Sequence, residues 1–223
     1  MVKACYEENT SCIKILLSIE RRNRTDSFVN SLKDIYEQKV ICFNHKKGSK
    51  KDAIYGVEVI RCGCFAKVSS QALSLCYGKF FKEIIKCFVP DIIIFHYPNP
   101  FVARYLLKYI PKQTKLVVYW HLDIVKQKIL KNFFARQNRE LIKRADMLIA
   151  TSPKYVEGST YLKETIYKCK IIPNCINEKR LLLSEEIKTA ARKIRSDNKG
   201  KIICLAVGRH TKYKGFNTSK QKT

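Results

Sequence analysis

The chain has 223 residues, 46% of them hydrophobic, and carries Lys+Arg 44 against Asp+Glu 19 for a formal net charge of +25. That allows one large domain, or one domain and part of another, and it excludes a chain too polar to build a core. The charge points to a polyanionic neighbour (nucleic acid, an acidic membrane surface or phosphorylated substrates) unless the basic residues only solvate the surface.

The ten cysteines contain no Cys-x-x-Cys spacing, and Cys62-Gly-Cys64 is their one close pair. They make no metal framework. Cys42, Cys87, Cys169 and Cys204 sit in or beside apolar runs, where a free thiol behaves as a small hydrophobe. We read a reducing cytoplasm without disulfides. The apolar run Ile13–Ser18 is too short for a signal peptide, and no run approaches the roughly 20 apolar residues that span a bilayer. Membrane contact, if any, is peripheral.

In chain order, Met1 to Ser11 has no periodicity. Cys12–Leu17 predicts a first strand, and Glu20–Asp26 a polar turn with three arginines. Ser27 caps a helix running to Gln38, with Phe28, Leu32 and Ile35 on one face. Val40–Phe43 predicts the second strand, and His45–Asp52 a basic loop. Tyr55–Arg61 alternates like a strand at a sheet edge. Ser69 or Ser70 then caps a helix reaching Phe88, with an apolar stripe through Leu73, Cys76, Phe80, Phe81, Ile84, Ile85 and Phe88. Lys79, Lys82 and Lys86 lie beside that stripe, which faces a core or, in part, a membrane interface.

The central stretch alternates short apolar runs with helical segments. Asp91–Phe95 stops at His96-Tyr-Pro-Asn-Pro100, Leu116–Trp120 at His121-Leu-Asp123, and Met147–Ala150 at Thr151-Ser-Pro153. Helices are expected over Phe101–Ile110, over the basic stretch Ile124–Ala145, and from Pro153, which suits a first turn. Cys169–Ile172 is another short strand. Runs this brief and apolar at every position suit strands buried on both faces. Their alternation with helices predicts an α/β, Rossmann-like parallel sheet with helices on both faces. Ligands bind such sheets outside the carboxyl ends of the strands. His96, His121 and Ser152 are the first polar groups past three such ends.

Beyond a connector at Ile176–Leu183, Ser184 caps a helix with Glu185 and Glu186 in its first turn and Lys193 and Arg195 near its end, matching the helix dipole. Lys201–Val207 reads as a fresh buried strand that opens a second domain. The expected division is 1–175 and 176–223.

At this point the ordered motifs resemble a family. They are Phe95-His-Tyr-Pro-Asn-Pro100, Tyr119-Trp-His-Leu-Asp-Ile-Val-Lys-Gln-Lys128, Arg144-Ala-Asp-Met-Leu-Ile-Ala-Thr-Ser-Pro153, Ile172-Pro-Asn174 and Val207-Gly-Arg-His-Thr-Lys-Tyr-Lys-Gly-Phe216. From about Ile13 to Phe216 the chain resembles the retaining, nucleotide-sugar-dependent glycosyltransferases of family four, with the GT-B fold, and most of all the bacterial members that assemble cell-surface glycans. The resemblance implies two Rossmann-like domains with the active site in the cleft between them, 1–175 forming the acceptor side and 176–223 the connector and first elements of the donor-binding domain. It places His121 at the family's active-site histidine. Asp123 orients His121 or caps the long helix, the cap being preferred. His96 and Asn99 belong to the cleft lining or to loop packing, and Ser152 is a helix cap before it is a ligand. Gly208, Arg209 and Lys214 match the positions that hold the donor diphosphate, where fixed cations meet the charge growing on the leaving group. The resemblance implies a nucleotide-sugar as co-substrate, no metal or other cofactor, and a lipid-linked or cell-surface glycan acceptor. The net charge and the basic-aromatic helices add an expected peripheral place on an anionic, cytoplasmic membrane face, and no nucleic acid is expected.

Three features depart from the family pattern. The expected Gly-Gly loop after the first strand reads Glu20-Arg-Arg-Asn-Arg-Thr-Asp-Ser27. The Asn-Gly turn after Pro173 reads Asn174-Cys175. The family's Glu-x7-Glu signature is absent, which predicts a truncated or frame-shifted product that folds but does not catalyse transfer. The rival reading is a non-catalytic, basic nucleic-acid-binding protein, supported by the charge alone, since no recognition module or stacking platform is visible.

Overall fold

The computed structural model describes residues 13–19, 29–44, 46–68, 71–123, 128–173 and 182–205. The chain divides into two units, Met1–Asn174 and Cys175–Thr223.

The first unit is built on an eight-stranded sheet. Its strands are β1 (Lys14–Ile19), β2 (Glu37–Phe43), β3 (Lys50–Ile54), β4 (Val57–Cys62), β7 (Ile92–Tyr97), β8 (Lys115–Trp120), β9 (Met147–Ala150) and β10 (Cys169–Ile171), in the order β10-β9-β8-β7-β1-β2-β4-β3. All neighbours are parallel except β3, which runs antiparallel to β4 at the edge. A separate hairpin pairs β5 (Ala66–Val68) with β6 (Gln71–Leu73). Besides the helical residues 29–32, the described helices of this unit are α1 (Tyr77–Phe88), α2 (Pro100–Tyr109), α3 (Lys128–Arg144) and α4 (Pro153–Gly158), and a 3₁₀ helix covers Leu162–Lys168.

The strand order reverses between β1 and β7. From β1 the chain moves toward β2 and β4, and from β7 toward β8, β9 and β10. Right-handed crossovers in opposite directions put their connections on opposite faces. The burial follows that rule. Phe81 and Ile84 of α1, Val102 and Leu106 of α2, Leu141 of α3 and Val156 of α4 all pack in one cluster with Leu16, Ile93, Phe95, Leu116 and Val118. Val29 and Leu32 pack on the other face with Ile15, Leu17, Val40 and Ile94. Within the first of these layers α1 and α2 approach so closely that a Cβ on Gly78 would lie 2.5 Å from the Tyr105 ring, which would have to shift to admit it.

Several expectations are corrected. The basic loop contains β3: a hairpin turn at Tyr55 (φ 51) and Gly56 (φ 81) folds it back onto β4. Strand Val57–Cys62 is therefore interior and β3 is the edge. The helix expected from Ser69 or Ser70 begins only at Tyr77, because Gln71–Leu73 is taken up by pairing with β5. Residues 29–32 are helical, but β2 starts already at Glu37, so the helix does not reach Gln38. In the second unit, residues 201–205 form no strand, and Ile202 and Leu205 are 93% and 86% exposed. A strand needs a partner for its backbone groups, and no described segment supplies one. Its described helix is α5 (Glu185–Asp197), capped by Ser184 as the sequence predicts.

Candidate active site

The reversal point between β1 and β7 is where open α/β sheets bind ligands, outside the carboxyl ends of the strands. β7 and β8 carry the candidate residues to that end. His96 lies inside β7, not past it, because the strand runs two residues beyond the apolar run. It is buried and sits in register with Tyr119 of β8. His121 follows β8 directly, two residues after Tyr119, so the two rings point to the same face of the sheet.

The three rings form one cluster, nearly parallel in each pair. Centroids are 5.2 Å apart for His96 and Tyr119, 4.4 Å for Tyr119 and His121, and 5.1 Å for His96 and His121. Nδ1 of His96 and Nε2 of His121 are 2.9 Å apart, so one imidazole carries its proton on the shared side. The Tyr119 hydroxyl donates to the carbonyl of Ile172 (3.1 Å), tying the cluster to the segment after β10. His121 is half-buried and is thus held in plane by its neighbours while reaching the surface.

The opposite face of the same strand ends is a second, rigid assembly. Tyr97 stacks on Trp120 at 3.8 Å. Trp120 Nε1 donates to Asp123 (2.8 Å), which also accepts from the hydroxyls of Tyr155 (3.3 Å) and Ser159 (3.0 Å) and from the Thr160 backbone N–H (3.0 Å). Burial first, and then the charge of Asp123, push the Tyr155 hydroxyl well above the ordinary tyrosine range, so it stays a proton donor. Asp123 therefore locks the loop after β8 to the end of α4; these bonds lead to the neighbouring loop and not to His121. Its capping of the long helix falls on residues 124–127, outside those described.

The other predicted positions are also placed. Asn99 is buried and caps α2, its Oδ1 accepting from Val102 N–H (3.1 Å). Ser152 caps α4 by accepting from Tyr155 N–H (3.2 Å). Both residues thus set the starts of helices that leave the site. Ser18, near the end of β1, shares a 2.8 Å hydrogen bond with the buried hydroxyl of Tyr77, which fixes the floor of the reversal point. Gly208, Arg209 and Lys214, like the Glu20–Ser27 loop and Asn174-Cys175, lie outside the described residues. Sequence reading missed Tyr119, Trp120, Tyr155 and Ser159. The spacing of two between Tyr119 and His121 was a visible signal for the first, and Trp120 lies only three residues from Asp123; Tyr155 and Ser159 depend on contacts 32 and 36 residues apart in sequence. Among the described residues, no group of three or more His, Cys, Asp or Glu side chains could hold a metal ion. No described helix is long and apolar enough to cross a membrane.

Residues 27–180 match the family model described as Glycosyltransferase Family 4. The chain is 31% identical over 151 residues to the O-antigen chain mannosyltransferase C of Escherichia coli, covering 68% of this chain and 39% of that protein. It is 27% identical over 107 residues to the D-rhamnosyltransferase WbpZ of Pseudomonas aeruginosa, covering 48% of this chain and 27% of that one. The chain thus spans well under half the length of these relatives. Among solved structures it is similar to a UDP-forming trehalose-phosphate synthase from Burkholderia xenovorans (TM-score 0.57, 12% identity, 92% of this chain and 58% of that one). It is also similar to a sucrose-phosphate synthase from Thermosynechococcus elongatus (TM-score 0.50, 12% identity, 81% of this chain and 98% of that one). At such identity these two likenesses speak for the fold.

Proposed function

Because the chain belongs to Glycosyltransferase Family 4, we propose that it forms the acceptor-side domain of an enzyme that moves a sugar from a nucleotide-sugar donor to a lipid-linked or cell-surface glycan. The family match selects this reading over the nucleic-acid one; both relatives' names support sugar transfer, and that of the O-antigen chain mannosyltransferase supports the acceptor class. Residues 1–175 are the acceptor domain in this proposal, and 176–223 the connector and start of the donor domain.

The observation that carries the site assignment is the His96–His121 hydrogen bond at the carboxyl ends of adjacent strands. It holds the ring of His121 at the carboxyl ends of β7 and β8, and in this proposal the imidazole meets the donor sugar or the reacting groups. Preorganised orientation of this kind spares the reaction the cost of arranging its own dipoles. Arg209 and Lys214, approached closely through Gly208, neutralise the diphosphate as it leaves. His96 and Asn99 line the cleft, while Asp123 and Ser152 shape its rim. The reaction retains anomeric configuration and needs no metal.

A chimera that completes this chain with the donor domain of a relative tests the assignment. His121→Ala is expected to lower kcat, and Arg209→Ala to raise KM for the donor. Unchanged turnover in the His121→Ala chimera would remove His121 from the mechanism. The chain by itself is expected to release no nucleoside diphosphate from a panel of sugar nucleotides, since a single wall neither orients the donor nor excludes water.

The enzyme works on the cytoplasmic face of an anionic membrane in this proposal. Exposed Lys79, Lys82 and Lys86 of α1, with Lys108 and Tyr109 beside them, present a basic-aromatic face. Each such cation near an anionic surface adds on the order of 1 kcal/mol that salt screens away. Flotation with anionic vesicles is expected to show salt-sensitive binding; equal binding to neutral vesicles would count against it.

A further inference from the structure

The carboxyl end of β4, well away from the histidine pair in strand order, holds a cluster of thiols that sugar transfer does not use. Cys62 is the last residue of β4 and is fully buried, and Cys76 is the residue before α1. Cys76 Sγ donates to the carbonyl of Gly63 (3.9 Å), the residue after Cys62, so the two cysteines are neighbours in space. Cys64 lies two residues on, half-buried, and all three carry free thiols.

The surroundings of the two sulfurs differ. Cys76 Sγ is 3.0 Å from the Ser49 hydroxyl and 3.2 Å from that of Ser74. Each of those hydroxyls already accepts a backbone N–H: Ser49 from Gly63 (2.9 Å) and Ser74 from Tyr77 (3.2 Å). Their own hydrogens are thereby left to point at the sulfur. Cys76 also stands at the N-terminus of a twelve-residue helix, the positive end of its dipole. Burial works to raise the Cys76 thiol, but the hydrogen bonds from Ser49 and Ser74 outweigh it and hold the thiol below the ordinary range. At Cys62 burial dominates, the neighbouring thiols add to it, and the group is pushed far above that range. One sulfur is set up to ionise and its neighbour to keep its proton.

We propose that Cys76 is a nucleophilic thiol that reacts with hydroperoxides, and that Cys62 resolves the product into a reversible Cys62–Cys76 disulfide. The Cys76 thiolate attacks one oxygen of the hydroperoxide, the O–O bond breaks, and the other oxygen leaves with the electron pair and takes a proton from water. Cys76 is then a sulfenic acid. The Cys62 sulfur attacks it, the S–O bond breaks, and the hydroxyl leaves as water with the Cys62 proton. Two thiols are oxidised and one peroxide is reduced. The bond would join the end of β4 to the start of α1, next to Tyr77 and its hydrogen bond to Ser18 at the reversal point.

The test uses the full chain. A limiting pulse of iodoacetamide at neutral pH, followed by peptide mapping, is expected to label Cys76 several-fold faster than Cys87 and Cys204, although both of those are exposed. The Ser49→Ala/Ser74→Ala variant should lose that advantage. Stoichiometric hydrogen peroxide is expected to produce a peptide linking Cys62 to Cys76, lighter by two hydrogens and restored by dithiothreitol. In Cys62→Ser, Cys76 should stop at a sulfenic acid that dimedone traps. Faster labelling of Cys87 or Cys204 would overturn the nucleophile. A Cys64–Cys76 link, or a Cys62 that stays reduced, would overturn the resolving partner. The mapping of the unsubstituted chain decides both points even where a variant does not fold.

Discussion

Two helices of similar length show opposite relations between local signal and burial. α5 has every local mark of a helix: Ser184 caps it, Glu185 and Glu186 occupy its first turn, and Arg195 its last. None of its residues is buried, and Ile187 and Ile194 are 51% and 53% exposed. α1 has no side-chain cap and no acid in its first turn, yet Tyr77, Gly78, Phe81, Ile84, Ile85 and Phe88 are all buried. Capping and dipole terms are worth around 1 kcal/mol each, while one fully buried aromatic side chain is worth about 1.5–3 kcal/mol. Local chemistry thus sets where α5 begins and ends, and tertiary packing is what holds α1.

The largest test of that contrast is deletion of matched side chains. Phe81→Ala in α1 is expected to cost about 3–5 kcal/mol in urea titration, whereas Ile187→Ala in α5 should stay within about 0.5 kcal/mol. A cost above about 1 kcal/mol for Ile187→Ala would show that α5 is held by packing after all. Next in size is Asp123→Ala, which strands the donors of Trp120, Tyr155 and Ser159. It should lower stability by about 2–3 kcal/mol, and Asp123→Asn, which keeps one acceptor, by less. Equal losses from the two would mean that charge, not hydrogen bonding, is what Asp123 supplies. A smaller effect is expected from Ser184→Ala: about 1 kcal/mol, seen as faster amide exchange in the first turn of α5 with the main melting transition unmoved.

The smallest expected effect is electrostatic. Burial works to raise the carboxyl of Asp146, but the Leu116 N–H and Lys115, with Arg144 behind them, outweigh it and hold the group below its ordinary 3.8. A depressed carboxylate adds stability that is fully present above the unfolded value and is lost as pH falls through the folded one. Tm should therefore decline below about pH 4, and Asp146→Asn should flatten part of that decline. An identical acid profile in the variant would assign the loss to other carboxylates. Lys115 is exposed, so screening by salt should shrink the effect further.

The site divides along the same line. His121 was legible because Leu116–Trp120 is apolar at every position and the histidine ends the run. Ser152 was legible because Ser-Pro ahead of a helical stretch carries a cap and a first-turn proline, whereas Asn99, read as cleft lining or loop packing, is a cap of the same kind in Asn-Pro. His96 was misplaced by treating a polar residue as the end of a strand. Stacked against Tyr119 and bonded to His121, an imidazole is accommodated inside β7. The strand expected at Lys201–Val207 failed in its described part for the opposite reason: an apolar run is a strand only when another strand takes its backbone groups.

By itself the sequence determined the α/β alternation, the ends of β8 and β9, the caps of α4 and α5, and the place of His121 just past a strand. These depend on runs, spacings and turn chemistry within a few residues, which the chain carries wherever it lies. Only the tertiary structure decided the strand order with its reversal between β1 and β7, the conversion of a basic loop into the edge strand β3, and the pairing of His96 with His121. It also decided the clasp of Asp123 on the segment 155–160 and the approach of Cys76 to Gly63 beside Cys62. Each of those joins groups distant along the chain. What selects such partners is the burial of two sheet faces at once, a quantity that no single stretch of sequence contains.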